Sequence, residues 1–186
     1  MIKNITQNLN INTNWIHLNN FQKNIDLSFF NHDKYKNDIR SLDKKMSDIL
    51  CDDSWMGNCA KYQLNSGGKR FRAILALLAS KIFGLSKQVS HDIAICCEFI
   101  HNASLIHDDL QDRDLLRRGL PTIWNRFGDH TAINLGDLFI SASFEIISKI
   151  KTRPDLKCLA IEELSKTIKQ TLKGQSIEIL GRSDFN

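Results

Sequence analysis

The segment Glu98–Thr122 reads EFIHNASLIHDDLQDRDLLRRGLPT. Its first half is mostly apolar and continues the run Ala94–Cys97, with Ile93, Cys97, Ile100 and Ser104 recurring along one helical row. Its second half sets Asp108, Asp109, Asp112 and Asp114 within seven residues and follows them with Arg117 and Arg118. A buried helix therefore ends in crowded carboxylates. On a helix, Asp108 and Asp112 stand one turn apart, roughly 6 Å along the axis, and share a face with Asp109 beside them. Carboxylates at that separation disfavour each other's ionisation, and a divalent cation removes the conflict. Mg²⁺ prefers hard oxygen ligands, keeps several waters, and is shared between one or two carboxylates and substrate phosphates. An arbitrary DDxxD reads equally well as a solvated acidic face. The apolar, and so buried, approach argues against surface decoration here.

The rest of the chain shares this helical character. Of 186 residues, 42% are hydrophobic and 25% charged, enough for one domain with a real core. Strand alternation and hairpin dipeptides are nearly absent, and the two prolines, Pro121 and Pro154, read as breaks between helices. Residues 1–20 read as a polar arm and residues 21–186 as one domain. Within 33–50, Tyr35, Ile39, Leu42, Met46 and Ile49 make one apolar stripe. Ser66-Gly67-Gly68 is a loop feeding a helix over about 69–84, and Ser90 or its neighbours open the next. Residues 119–128 read as a loop, and about 130–150 and 155–180 as two more long helices. The prediction is an all-α bundle.

Several functions are excluded. The net charge of +4 is mild and spread along the chain without a block of like charge, so nucleic acid is not an expected partner. The longest apolar run, Ala73–Ala79, is far short of the ~20 residues of a membrane span. The Asn-rich start is neither a signal nor a transit peptide. Five cysteines without CxxC spacing read as free thiols in a reducing cytosol.

The cations complete the pattern. Lys69, Arg70 and Arg72 stand beside a Gly-Gly loop at a helix start, although GxxxxGK[ST] spacing is missing. Arg offers bidentate contacts to phosphate oxygens and Lys a point charge. Taken singly, each cluster is ordinarily solvated surface. Together with the acids they imply a site for two phosphorylated ligands, one held through metal and one directly. His101 lies seven residues before Asp108 and so faces the same side.

EFIHNASLIHDDLQDRDLLRRGLPT with GGKRFRA, followed by Gly136-Asp137 and Gly174-Gln175, resembles the trans-type isoprenyl diphosphate synthases, or polyprenyl synthetases, over about Asn65–Gln175. The resemblance implies an isoprenoid-synthase-type helical bundle around a deep apolar cavity, dimeric, condensing isopentenyl diphosphate with an allylic prenyl diphosphate. It implies that Asp108 and Asp112 bind Mg²⁺ with Asp109 beside them, and that Arg117 touches the allylic diphosphate. Lys69, Arg72, His101 and Arg118 would hold isopentenyl diphosphate, with Gln175 also on the substrate. Ala103 and Ser104, both small, sit one turn before Asp108 where a bulky residue would floor the pocket, so a product of C20 or longer is expected. A type I terpene cyclase would share the DDxxD without the GGKR loop or the RRG.

Two departures stand out. Ala73 occupies a position that is usually proline in the family, and no second DDxxD occurs in the sequence. The expectation is therefore the N-terminal portion of a synthase domain, with apolar faces on 130–150 and 155–180 open to water. A truncated gene product, a subunit pairing with another synthase chain, and a degraded regulatory relative would each look this way. The intact motifs favour a portion of a true synthase.

Overall fold

The computed structural model describes residues 35–183; the predicted arm, 1–20, lies outside them. The helices within that range are α1 (Lys36–Leu50), α2 (Trp55–Asn65), α3 (Phe71–Ile82), α4 (Lys87–Gln111), α5 (Ile123–Phe127), α6 (Asp129–Lys149) and α7 (Pro154–Ser183), with a two-residue hairpin, β1 (Leu116–Arg117) and β2 (Leu120–Pro121), before α5. The all-α expectation is met, with boundaries shifted by a few residues.

α4 is the centre. Ser86 caps its start, with Oγ accepting from the Val89 N–H, and residues facing every neighbouring helix are buried along its length. Phe99 of α4 meets Phe139 of α6 edge to face, centroids 5.4 Å apart, and both are fully buried. Each such ring contributes about 1.5–3 kcal/mol by burial. α1 buries Ile39, Leu42 and Met46 as its stripe requires, and ends the stripe on Leu50 where Ile49 was expected. α7 packs Ile161 and Leu164 against Cys96, Ile147 and Ile150. Further along, Leu172, Ile177 and Leu180 stay exposed, in line with the open apolar face expected on 155–180, whereas the face expected to be open on 130–150 is buried at Leu135, Phe139, Ile146 and Ile147. All five cysteines are free. Among the described residues, no helix is long and apolar enough to cross a membrane.

Three elements were not anticipated, one of them α5, which falls within the loop expected over 119–128. α2 forms behind Ser54, whose Oγ accepts from the Gly57 N–H at 3.0 Å. The hairpin falls where a plain loop was expected: Arg117 pairs with Leu120 across a turn whose central residues, Arg118 (φ 55°) and Gly119 (φ 79°), are both left-handed. Two positive φ values in a two-residue turn are the type I′ signature, which suits strand twist.

Candidate functional site

Apart from Asp109 and Arg117, which pair with each other, the expected site residues fall into three settings along α4. The first is a cavity of about 520 Å³ whose walls include Gly68, Lys69, Arg72, His101 and Arg118, with Glu98 and Asn102 among its other lining residues. Arg72 and Lys69 reach it because α3 begins at Phe71. Arg118 reaches it because left-handed backbone turns its side chain toward the Gly-Gly loop, where it donates to the Gly67 carbonyl. Gly68 has a φ of 138°, a backbone conformation that favours glycine, and a Cβ there would stand 2.9 Å from Arg118 Nη1.

His101 faces these cations. Its Nε2 lies 3.1 Å from Arg72 Nη1. Arginine only donates, so Nε2 accepts and the ring is neutral with its proton on Nδ1. Burial first, and then the charges of Arg72, Arg118, Arg117 and Arg70, push its pKa down to about 4. Burial also lowers the Arg118 pKa, with Arg70 and Arg117 adding to the effect. Cations held this close favour a polyanion.

The second setting is acidic. Asp108, Asp112 and Gln175 line a polar cavity of about 130 Å³ together with Gln111 and Glu178. Asp112 is the C-cap of α4, its N–H bonded to the Asp108 carbonyl at 2.8 Å. Gln175 of α7 donates to the Asp108 carboxylate and to Gln111 Oε1. Burial, followed by the nearby Asp112, raises the Asp108 pKa. Glu178 was missed in the sequence because it lies on another helix, one turn beyond Gln175. Among the described residues, no three His, Cys, Asp or Glu side chains close into a metal cage. The pair Asp108 and Asp112 still suits Mg²⁺, which keeps much of its water and needs only one or two carboxylates beside substrate phosphates.

Asp109 points elsewhere. It is 2% exposed and binds Arg117, whose Nε approaches Oδ1 to 2.6 Å. The bond to Asp109 is the main cause of the raised Arg117 pKa. Arg70, given no ligand in the sequence reading, is buried, with Nε donating to Asp43 at 2.8 Å.

The third setting is apolar. Ala103 and Ser104 line a cavity of about 40 Å³ with Ile140, Ile168 and Leu172. At ~10–15 Å³ of such space per water, that is room for a few waters and no long apolar chain. His107 also lines it, with Nε2 3.4 Å from the Ile133 carbonyl and 3.8 Å from Asp137.

Known proteins resemble this chain in sequence and in fold. A family model described as polyprenyl synthetase matches residues 53–186. Geranylgeranyl diphosphate synthase of Methanosarcina mazei is 34% identical over 151 residues, covering 79% of this chain and 46% of that protein. Farnesyl diphosphate synthase of Haemophilus influenzae is 36% identical over 146 residues, covering 76% of this chain and 50% of that one. The crystal structure of geranylgeranyl pyrophosphate synthetase from Pyrococcus horikoshii aligns with a TM-score of 0.73 at 29% identity, over 78% of this chain and 45% of that chain. The chain thus spans about half the length of the curated relatives it matches.

Proposed function

The chain belongs to the polyprenyl synthetase family, and on that premise we propose that its site serves the Mg²⁺-dependent, head-to-tail condensation of isopentenyl diphosphate with an allylic prenyl diphosphate. One observation carries this reading. A single helix, α4, offers His101 to the cationic cavity and, two turns on, Asp108 to the acidic one. The two diphosphate-binding chemistries are thereby set about 10 Å apart along one axis.

In this reading Lys69, Arg72, His101 and Arg118 bind the diphosphate of isopentenyl diphosphate. Asp108 and Asp112 would hold Mg²⁺, which would supply positive charge to the allylic diphosphate. Arg117, fixed by Asp109, presents donors to the same leaving group as negative charge builds on it. The allylic C–O bond breaks, the isopentenyl double bond attacks the allyl cation, and a proton is lost to the released diphosphate. Gln175 orients the Asp108 carboxylate. Water must be excluded, since it would quench the cation.

Ala103 and Ser104 leave room at the level of the apolar cavity, so the product assigned is C20 or longer. The cavity is about 40 Å³, and a growing tail therefore requires α7 to move off α4. We place the chain in the cytoplasm, as a homodimer or paired with another synthase chain. Exposed Ile177 and Leu180 favour a second reading, a non-catalytic subunit that covers this face with a complete synthase. The test is product formation by the purified chain from isopentenyl and allylic diphosphates, with and without Mg²⁺. Mg²⁺-dependent prenyl elongation supports the first reading. No product, together with altered product length when the chain is added to an intact synthase, supports the second.

A further inference from the structure

A closed polar network beneath the cationic cavity organises the start of α3. That helix has no side-chain cap of its own. Its N-cap residue is Arg70, in left-handed backbone with φ 48°, and arginine accepts no hydrogen bond. The first N–H groups of a helix need acceptors from elsewhere. One comes from across the bundle, where Glu98 Oε1 accepts from the Ala73 N–H at 3.0 Å. Glu98 is 3% exposed, and its second oxygen lies 3.8 Å from Arg70 Nη1. Arg70 is tied down in turn by Asp43 and by the Leu64 carbonyl, 3.0 Å from Nη2. Asn102 Nδ2 donates to the Glu98 carbonyl at 2.8 Å, and Gln63 Nε2 donates to Asn102 Oδ1 at 3.2 Å.

We infer that Glu98 is a positioning residue for the diphosphate cradle: by capping α3 from α4, it fixes Lys69 and Arg72 against His101 and Arg118. The inference rests on the reading of that cavity given above. Arg72 belongs to the turn that Glu98 caps, and Lys69 immediately precedes the cap residue. Two effects of Glu98 on a bound diphosphate oppose each other. Its charge repels the ligand, and its hydrogen bond preorganises the ligand's donors. Organisation outweighs repulsion because the α3 N-terminus and Arg70 already offset the charge. The sequence offers a second handle. The capped N–H belongs to Ala73, and proline at that position has no N–H to cap and a φ already suited to a first helical turn.

The test is calorimetric titration of the full chain with inorganic pyrophosphate in Mg²⁺-free buffer, with helix content and cooperative unfolding followed in parallel. Glu98→Gln keeps the reach and an accepting oxygen but loses the charge. Glu98→Asp keeps the charge but loses the reach. Positioning predicts that Glu98→Gln binds within threefold of the unsubstituted chain and Glu98→Asp at least tenfold more weakly. Adding Ala73→Pro to Glu98→Asp removes the uncapped N–H and restores binding to within threefold. Equal binding by both single variants, or tighter binding by Glu98→Gln with Glu98→Asp unchanged, overturns the positioning role alone. So does failure of the proline to rescue. Should Glu98→Asp not fold alone, the double variant decides by the same threefold and tenfold limits. No saturable binding by the unsubstituted chain overturns the cradle itself, and the inference with it.

Discussion

Arg117 holds Asp109 through two nitrogens of one guanidinium, Nε at 2.6 Å and Nη2 at 2.5 Å from the same carboxylate oxygen. The partners are unequally buried, 3% exposed for the Asp109 side chain and 30% for Arg117. Removing one member of a buried pair leaves an uncompensated charge, at a cost of about 3–5 kcal/mol. Arg117→Ala strands the buried carboxylate and should fall at the upper end of that range. Asp109→Ala strands a cation that water can reach and should fall at or below the lower end. Denaturant unfolding of the two variants checks the order, and equal costs would contradict the pairing described.

Asp108 behaves oppositely. Burial first, and then Asp112, raise its pKa, so the fold favours the protonated form. A raised carboxyl adds stability below its unfolded pKa, and this is lost as pH climbs from the ordinary 3.8 through the raised folded value. At neutral pH the ionised group is therefore a burden. Asp108→Asn should leave the thermal midpoint unchanged or higher, while Mg²⁺-linked association with a prenyl diphosphate drops at least tenfold. A stability loss like that of Asp109→Ala would place Asp108 among the structural pairs.

These two aspartates show how far the sequence could be read. Helical period and the DDxxD spacing place Asp108, Asp109 and Asp112 at the end of one buried helix, because both are local properties. Which carboxylate meets the cation of Arg117 depends on the hairpin, and that hairpin turns on Arg118-Gly119 where Asn-Gly or Asp-Gly would have announced it. α2 was missed because Gly57 and Asn58 break its apolar pattern, although Ser54 stood ready as a cap. Arg70 reads like its neighbours Lys69 and Arg72, and only its distant partners Asp43 and Glu98 make it structural. Glu178 joins the acidic cavity through the packing of α7, which no spacing near Asp108 reveals.

His101 supplies a pH test. Its folded pKa of about 4 lies below the ordinary 6.5 because of burial and the arginines around it. The unfolded chain then binds the extra proton between those values, so this contribution to stability is complete above 6.5 and is lost as pH falls toward 4. The stability difference between the unsubstituted chain and His101→Gln should narrow between pH 7 and pH 5. A diphosphate in the cavity should raise the His101 pKa, giving proton uptake on pyrophosphate binding near pH 6, read from calorimetry in buffers of different ionisation enthalpy. An imidazole titrating near 6.5 in the free chain would remove the basis for both effects.

Two helical glycines separate packing from propensity. A Cβ at Gly136 of α6 would lie 2.1 Å from His107 Nε2, whereas at Gly174 of α7 nothing stands within 4 Å. Alanine favours helix over glycine by up to ~1 kcal/mol. Gly174→Ala should therefore stabilise the chain by a fraction of that to the whole. Gly136→Ala receives the same propensity gain but must displace the His107 ring, and overpacking of this kind costs about 1–3 kcal/mol. The net effect there should be a loss of stability. His107 immediately precedes Asp108, so moving its ring disturbs the last turn before the acid pair, and Gly136→Ala should also weaken Mg²⁺-linked diphosphate binding. Thermal unfolding and calorimetry of the two variants read both effects. If Gly136→Ala raised the midpoint as Gly174→Ala does, α4 and α6 would have to sit farther apart at His107 than described.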